Sequence, residues 1–172
     1  SEKQRRRTAY HEAGHAIVGE LLEDCDPVHK VTIVPRGMAL GVTISLPAED
    51  RYNRTKAELE DRIAMGLAGR VAEQIIYGMD SLDTGAASDL DHVTDLARSM
   101  VCEFGMSEKL GNIRLGRRQS NPFLGRDLME DRDYSDEVAK AIDDEVRAFI
   151  DRNYARARKI LDDNRDRLEK IV

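Results

Sequence analysis

Tryptophan is missing from the chain, and five tyrosines with three phenylalanines are its only other aromatic rings. That is too few to build a base-stacking platform for nucleic acid. Basic charge is also short: 27 Lys and Arg face 33 Asp and Glu, a net charge of −6. A phosphate-binding surface needs basic patches, so a nucleic-acid partner is excluded. The one basic run, Arg5-Arg6-Arg7, reads as a solvated helix start. Cysteine is limited to Cys25 and Cys102, with no C-x-x-C spacing. This excludes a disulfide framework and a zinc knuckle, and it fits reduced thiols in a cytosol-like compartment. No apolar run reaches membrane-spanning length, and no signal-peptide pattern is present. A phosphate loop of the form G-x-x-x-x-G-K-S/T is absent as well. What remains is 41% hydrophobic and 35% charged over 172 residues, the profile of one helix-rich domain, 1–172, with a single sizeable core.

Periodicity orders the elements. A first helix is expected from the opening residues to about Glu23, ended by Asp24 to Pro27. His29 to Val34 and Leu40 to Leu46 read as a hairpin turning at Pro35-Arg36-Gly37. In its second strand Leu40, Val42, Ile44 and Leu46 alternate with Gly41, Thr43 and Ser45, so the apolar set should face the core. The small and polar set would leave an edge that another extended chain could join, as peptidases do with substrates; an ordinary edge strand is the equal alternative. Thr55 to Glu58 is a capping box. It opens a helix whose Leu59, Ile63, Leu67, Val71 and Ile75 step by four and which ends near Gly78. Gly66, Ala68, Gly69 and Ala72 keep that helix thin for close packing. Ser88 is the expected N-cap of a helix running to Phe104, with Gly105 ending it. Ile113 to Leu115 could form a short strand, and Gln119 to Tyr134 a surface loop. A helical period resumes at Ser135 and breaks near Asn164. The fold class is therefore mainly α (α+β), with a small hairpin at the edge of the site.

Within the first helix lies His11-Glu12-Ala13-Gly14-His15, an HExxH pattern. Residues i and i+4 share a helix face, so His11 and His15 can bind one tetrahedral zinc. Glu12 sits about 100° around from His11, close enough to take a proton from an attacking water without being a ligand. The motif arises by chance in roughly one such chain per hundred, and an ordinary core helix with two satisfied histidines is the plain alternative. The surrounding residues, among them Ala13, Ile17 and Val18, indicate a buried helix. A buried histidine pair beside a buried glutamate needs compensating partners, and a metal supplies them.

A catalytic zinc takes a third protein ligand. With Asp89 set to zero, the apolar residues of its helix span about −20° to 120° at 100° per residue. Asp89 falls inside that arc, whereas Asp91 (about 200°) and Asp95 (about −120°) fall outside it. An aspartate aimed at a core is costly unless paired or metal-bound, so Asp89 is the expected ligand, the plain alternative being a helix N-terminal aspartate that serves only the macrodipole. Glu73 is the rival carboxylate, but it lies roughly opposite the apolar stripe of its own helix, so a place behind a ligand or on the surface is expected for it. His92 lies just off the core face and reads as a rim residue.

HEAGH, GLAGRVAE, TGAASDLDHVTDLAR and FGMSEKLG occur in this order, with ALGVT in the hairpin, PFLGRD in the loop and IDDEV near the end. Together they closely resemble the peptidase domain of FtsH-type AAA proteases over nearly the full length. The resemblance implies a mostly helical zinc metalloendopeptidase. Its zinc (Zn2+) would be held by His11, His15 and Asp89, with Glu12 as catalytic base. It also implies a membrane-anchored, ATP-dependent homo-hexamer that degrades misfolded or unassembled protein chains, most readily placed on the cytoplasmic side of a bacterial inner membrane, with an organellar membrane as the other option. The ATPase and membrane anchor of that family precede this region, so the sequence reads as an excised domain and ATP belongs to the missing part. Alone it is expected to cleave flexible or unfolded peptides, with Gly41, Val42 and Thr43 holding substrate in extended form. Two other readings stay open at this point. One is a ring-building module whose zinc is structural or absent, which an intact Glu12 opposes; the other is a stand-alone HExxH peptidase.

Overall fold

A computed structural model of the chain describes residues 1–34, 40–45, 53–118 and 130–172. Its elements are α1 (Glu2–Leu21), β1 (Val28–Thr32), β2 (Val42–Ser45), α2 (Lys56–Tyr77), α3 (Ala87–Cys102), β3 (Arg117–Arg118), β4 (Glu130–Asp131), α4 (Asp136–Asp163) and α5 (Arg165–Ile171). Two 3-10 turns, Met79–Ser81 and Thr84–Ala86, join α2 to α3. The architecture is mainly α with two small antiparallel ribbons, β1–β2 and β3–β4. No helix among the described residues is long and apolar enough to cross a membrane.

Helix α2 occupies the centre, with α1, α3 and α4 packed around it. Its capping box forms as the sequence predicts: the Glu58 amide donates to Thr55 Oγ1 (3.2 Å) and the Thr55 amide to Glu58 Oε2 (2.7 Å). Leu59, Ile63, Leu67 and Val71, one turn apart, are all buried. The helix stops at Gly78, whose φ of +80° suits a residue without Cβ. The thin face of α2 is used on both sides. A Cβ on Gly14 of α1 would lie 2.5 Å from the Ala68 carbonyl oxygen, and one on Gly66 would lie 2.5 Å from Val93 of α3. The helix α4 is capped by Ser135 and buries Ile142, Val146, Phe149, Ala157 and Leu161. Arg156 of α4 reaches the buried Asp61 of α2 at 2.6 Å, and Asp61 also accepts from the Asp24 amide at 3.0 Å. That bond pins the loop after α1. Asn164 breaks the helical run between α4 and α5, and Leu168 beyond it is fully buried.

Several expectations are corrected. Helix α3 starts at Ala87, not after a Ser88 cap, and has no side-chain cap at Ala86. The preceding 3-10 turn carries the capping instead, with Asp83 Oδ1 accepting from the Gly85 amide at 2.9 Å. Phe104 lies beyond the end of α3 and is 52% exposed rather than part of its core face. Ile113 to Leu115 is not a strand. It runs irregularly past the end of α3, where the Leu115 amide donates to the Cys102 carbonyl (2.9 Å) and Ile113 stays in solvent. The second ribbon uses Arg117 and Arg118 against Asp131 and Glu130. Arg7 is not solvated: its guanidinium donates to the Ser81 carbonyl (2.6 Å) and lies over the Tyr77 ring. The turn at Pro35 to Gly37, Leu46, and most of the expected 119–134 loop fall outside the described residues.

The hairpin forms, with Thr43 opposite Val31 and Val42 opposite Thr32, but its facing differs from the expected one. Gly41 and Thr43, the small and polar set, meet α1, and Leu40 is 60% exposed. The reason lies on the helix. The α1 residue beneath the strand is Glu12, and a carboxylate buried there needs a hydroxyl opposite it, not a valine or isoleucine.

Candidate metal centre

The site is built from α1, α2 and the first turn of α3. His11 and His15 sit one turn apart on the buried face of α1, where their rings meet edge to face with centroids 4.7 Å apart. Each imidazole is fixed through its Nδ1. That of His15 lies 2.7 Å from the Met65 backbone carbonyl, an acceptor only, so this nitrogen carries the proton. The Nδ1 of His11 lies 2.9 Å from Glu73 Oε2 and donates likewise. In the neutral tautomer both Nε2 atoms therefore present lone pairs. They are 3.1 Å apart and approach Asp89 Oδ2 at 2.8 Å (His11) and 3.2 Å (His15).

Three acceptors converging on one point repel each other unless a cation lies among them. Without a metal a proton takes that place. Burial alone would lower the pKa of His11, yet its bonds to Asp89 and Glu73 raise it from 6.5 to about 9. The imidazoles conversely hold the Asp89 carboxyl well below its ordinary range, against the opposing effect of its own partial burial. A coordinating atom from each of the three residues lies within 4.8 Å of the others, the one such grouping of metal-binding side chains among the described residues. Two imidazole nitrogens and a carboxylate oxygen form a donor set that suits zinc. The space for it depends on Gly69, because a Cβ there would lie 2.5 Å from His11 Nε2 and 2.6 Å from His15 Nε2.

Glu12 is only 7% exposed. Thr43 of β2 donates its hydroxyl to Glu12 Oε2 at 2.6 Å, and Thr43 Oγ1 also lies 3.1 Å from the Glu12 backbone carbonyl oxygen. Gly41 packs on the stem of this glutamate, where a Cβ would come within 2.9 Å of Glu12 Cγ. The structure thus brings His11, His15 and Asp89 together, with Glu12, Gly41 and Thr43 alongside on α1 and the hairpin. Val42 pairs with Thr32, and no strand among the described residues pairs with the other edge of β2. His29 and His92 are exposed and are absent from the metal-binding group.

Of the two places expected for Glu73, behind a histidine or on the surface, the structure shows the first: it is buried and braces His11, with Arg7 3.5 Å from its other oxygen. The side of α2 opposite its apolar stripe is covered by α1, which is why Glu73 is buried. Arg7, the Met65 carbonyl and the need for Gly69 were not found from sequence. Only the small-residue run on α2 signalled the last of these.

The sequence profile described as Peptidase family M41 matches residues 1–172. The ATP-dependent zinc metalloprotease FtsH 3 of Symbiobacterium thermophilum is 53% identical over 171 residues, covering 99% of this chain and 27% of that protein. The ATP-dependent zinc metalloprotease FtsH of Rubrobacter xylanophilus is 52% identical over 172 residues, covering 100% of this chain and 26% of that protein. The protein of the same name from Haemophilus influenzae is 52% identical over 171 residues, with 99% and 27% covered. The chain spans about a quarter of the length of the curated relatives it matches. Profile and relatives agree from one end of the chain to the other, and with them the paired histidines of α1: the chain belongs to peptidase family M41.

Proposed function

We propose that this chain is the proteolytic part of an ATP-dependent zinc metalloprotease, an endopeptidase acting on unfolded or unassembled protein chains. One observation carries the reading: three acceptor atoms from His11, His15 and Asp89 converge beside a buried glutamate that none of them engages. Those three residues would hold Zn2+. Bound there, the ion supplies a Lewis acid that polarises a carbonyl and brings the pKa of water to about 7. Glu12 acts as general base, taking a proton from water as its oxygen bonds to the scissile carbonyl carbon. It then gives that proton to the amine nitrogen as the C–N bond breaks. Glu73 and the Met65 carbonyl hold the two imidazoles in the tautomer that leaves Nε2 unprotonated. The open edge of β2 at Gly41, Val42 and Thr43 would receive the substrate as an added strand. The parent protein would supply ATP hydrolysis, homo-hexameric assembly and a membrane anchor, on the cytoplasmic side of a bacterial inner membrane. The names of the relatives support the ATP dependence and the zinc, and their sources a bacterial origin.

Cleavage of unfolded casein and bound zinc, compared between wild type and Glu12→Gln, test the reading. Wild type should cleave; the variant should keep its zinc and lose cleavage by about 100-fold or more, the scale of a lost acid–base group. Equal cleavage by both would overturn it. So would a wild type that binds zinc and cleaves nothing, which is the outcome a ring-building module predicts.

A further inference from the structure

The hydroxyl of Thr43 is engaged by the residue proposed as the base. It lies 2.6 Å from Glu12 Oε2 and 3.1 Å from the Glu12 backbone carbonyl, so strand β2 grips both ends of that residue. Gly41, two residues earlier on the same face, seats the strand against the glutamate stem at a distance that excludes any Cβ. No hydrogen bond reaches the other carboxylate oxygen among the described residues. One carboxylate oxygen is thus tethered by the strand.

The tether comes from the strand whose outer edge is open. Thr43 pairs with Val31 on one side, and its opposite edge is where an extended chain would add. Side chains and backbone edge of one strand point in perpendicular directions, so Thr43 can bond Glu12 while its neighbours receive a substrate. A methyl in place of the hydroxyl would put an apolar group against a buried carboxylate and free the side chain to rotate.

We propose that Thr43 is a positioning residue for the general base. Its hydroxyl fixes the Glu12 carboxylate and ties base orientation to the strand that receives substrate. This rests on the reading of Glu12 as base. The rival role, Thr43 as a contact for substrate alone, predicts a different kinetic signature.

The test uses the zinc-loaded 172-residue chain as wild type, Thr43→Val, Thr43→Ala, Thr43→Ser, Glu12→Gln and the double variant Glu12→Gln/Thr43→Val, assayed on an unfolded peptide. Thr43→Val and Thr43→Ala should lose about 10- to 100-fold in kcat, the scale of a misplaced catalytic group. KM should stay within about two-fold, because uniform substrate binding is retained. Thr43→Ser should restore kcat, and the double variant should fall no lower than Glu12→Gln. Zinc per chain should match wild type throughout, and every variant compared should be folded at the assay temperature, with Tm lowered in the hydroxyl-free variants because the buried carboxylate loses its partner. Wild-type kcat in both hydroxyl-free variants, a loss confined to KM, or a serine variant as slow as the alanine one would overturn the assignment. If Thr43→Val fails to fold, Thr43→Ala against Thr43→Ser decides alone. A Glu12→Gln variant as active as wild type defeats the peptidase reading instead, so the two failures are distinguishable.

Discussion

His11 and His15 show how far single residues can be read. Their spacing on one helix face is a property of the α-helix, and the sequence alone is enough to see it. What leaves both Nε2 lone pairs facing one point is the partner of each Nδ1, and these partners come from α2, 62 and 50 residues away. A backbone carbonyl such as that of Met65 leaves no trace in the sequence, because its identity as an acceptor is shared by every residue. The place of Asp89 beside the two imidazoles was legible for the opposite reason: an aspartate inside an apolar arc carries a desolvation cost that demands a partner. Glu73 obeys the same rule but lies off the stripe, so only the packing of α1 over it shows its burial. Cys25 allows a prediction at this scale. Burial, then Asp61 and Asp26, push its thiol from 9.0 up to about 12. Because the folded value is the higher one, the protonated thiol contributes stability that is complete below pH 9 and lost as pH rises through 12. At pH 8 the native protein should therefore hold about 1,000-fold less thiolate at Cys25 than an ordinary thiol does. Site-resolved iodoacetamide labelling should be far slower in the native state than in denaturant. Equal rates would show that the thiol is not shielded as described.

Among the elements, the seam between α1 and α2 sets the site. Gly14 lies between Glu12 and His15, and its missing Cβ lets the α1 backbone settle onto Ala68 and Ala72. In an isolated helix, Gly to Ala gains up to about 1 kcal/mol. Here the added methyl would meet a backbone carbonyl at 2.5 Å, and overpacking of that kind costs about 1–3 kcal/mol. Gly14→Ala should thus lower stability, with Tm falling by several degrees, since about 1 kcal/mol shifts a domain of this size by about 2–4 °C. An unchanged or raised Tm by calorimetry would contradict the seam. The capping box at Thr55 and the helix breaks at Gly78 and Asn164 were legible because they are local chemistry. The start of α3 was not, since a 3-10 turn capped by Asp83 takes over the role that Ser88 could have filled. The hairpin was found but turned over: alternation shows that a strand has two faces, while the buried carboxylate of α1 decides which of them is covered.

At the scale of the molecule, α2 is the frame. It presents Met65, Gly69 and Glu73 on the side facing the imidazoles, and its other sides hold α3 and α4. Helix α3 in turn carries Asp89 to within 2.8 Å of His11. Family membership and the mainly α architecture were both legible, the first from motif order and the second from periodicity. The coupling of the site to its supports was not, because it arises only when α1, α2 and α3 are packed together. The central claim is that Asp89, not Glu73, completes the metal site. Zinc per chain after dialysis, by elemental analysis of wild type, Asp89→Ala and Glu73→Ala, tests it most directly. Wild type should retain one equivalent and Asp89→Ala close to none, while Glu73→Ala should still fill at excess zinc with affinity weakened about 10- to 100-fold, as for a lost hydrogen bond behind a ligand. A full equivalent in Asp89→Ala with none in Glu73→Ala would contradict the account.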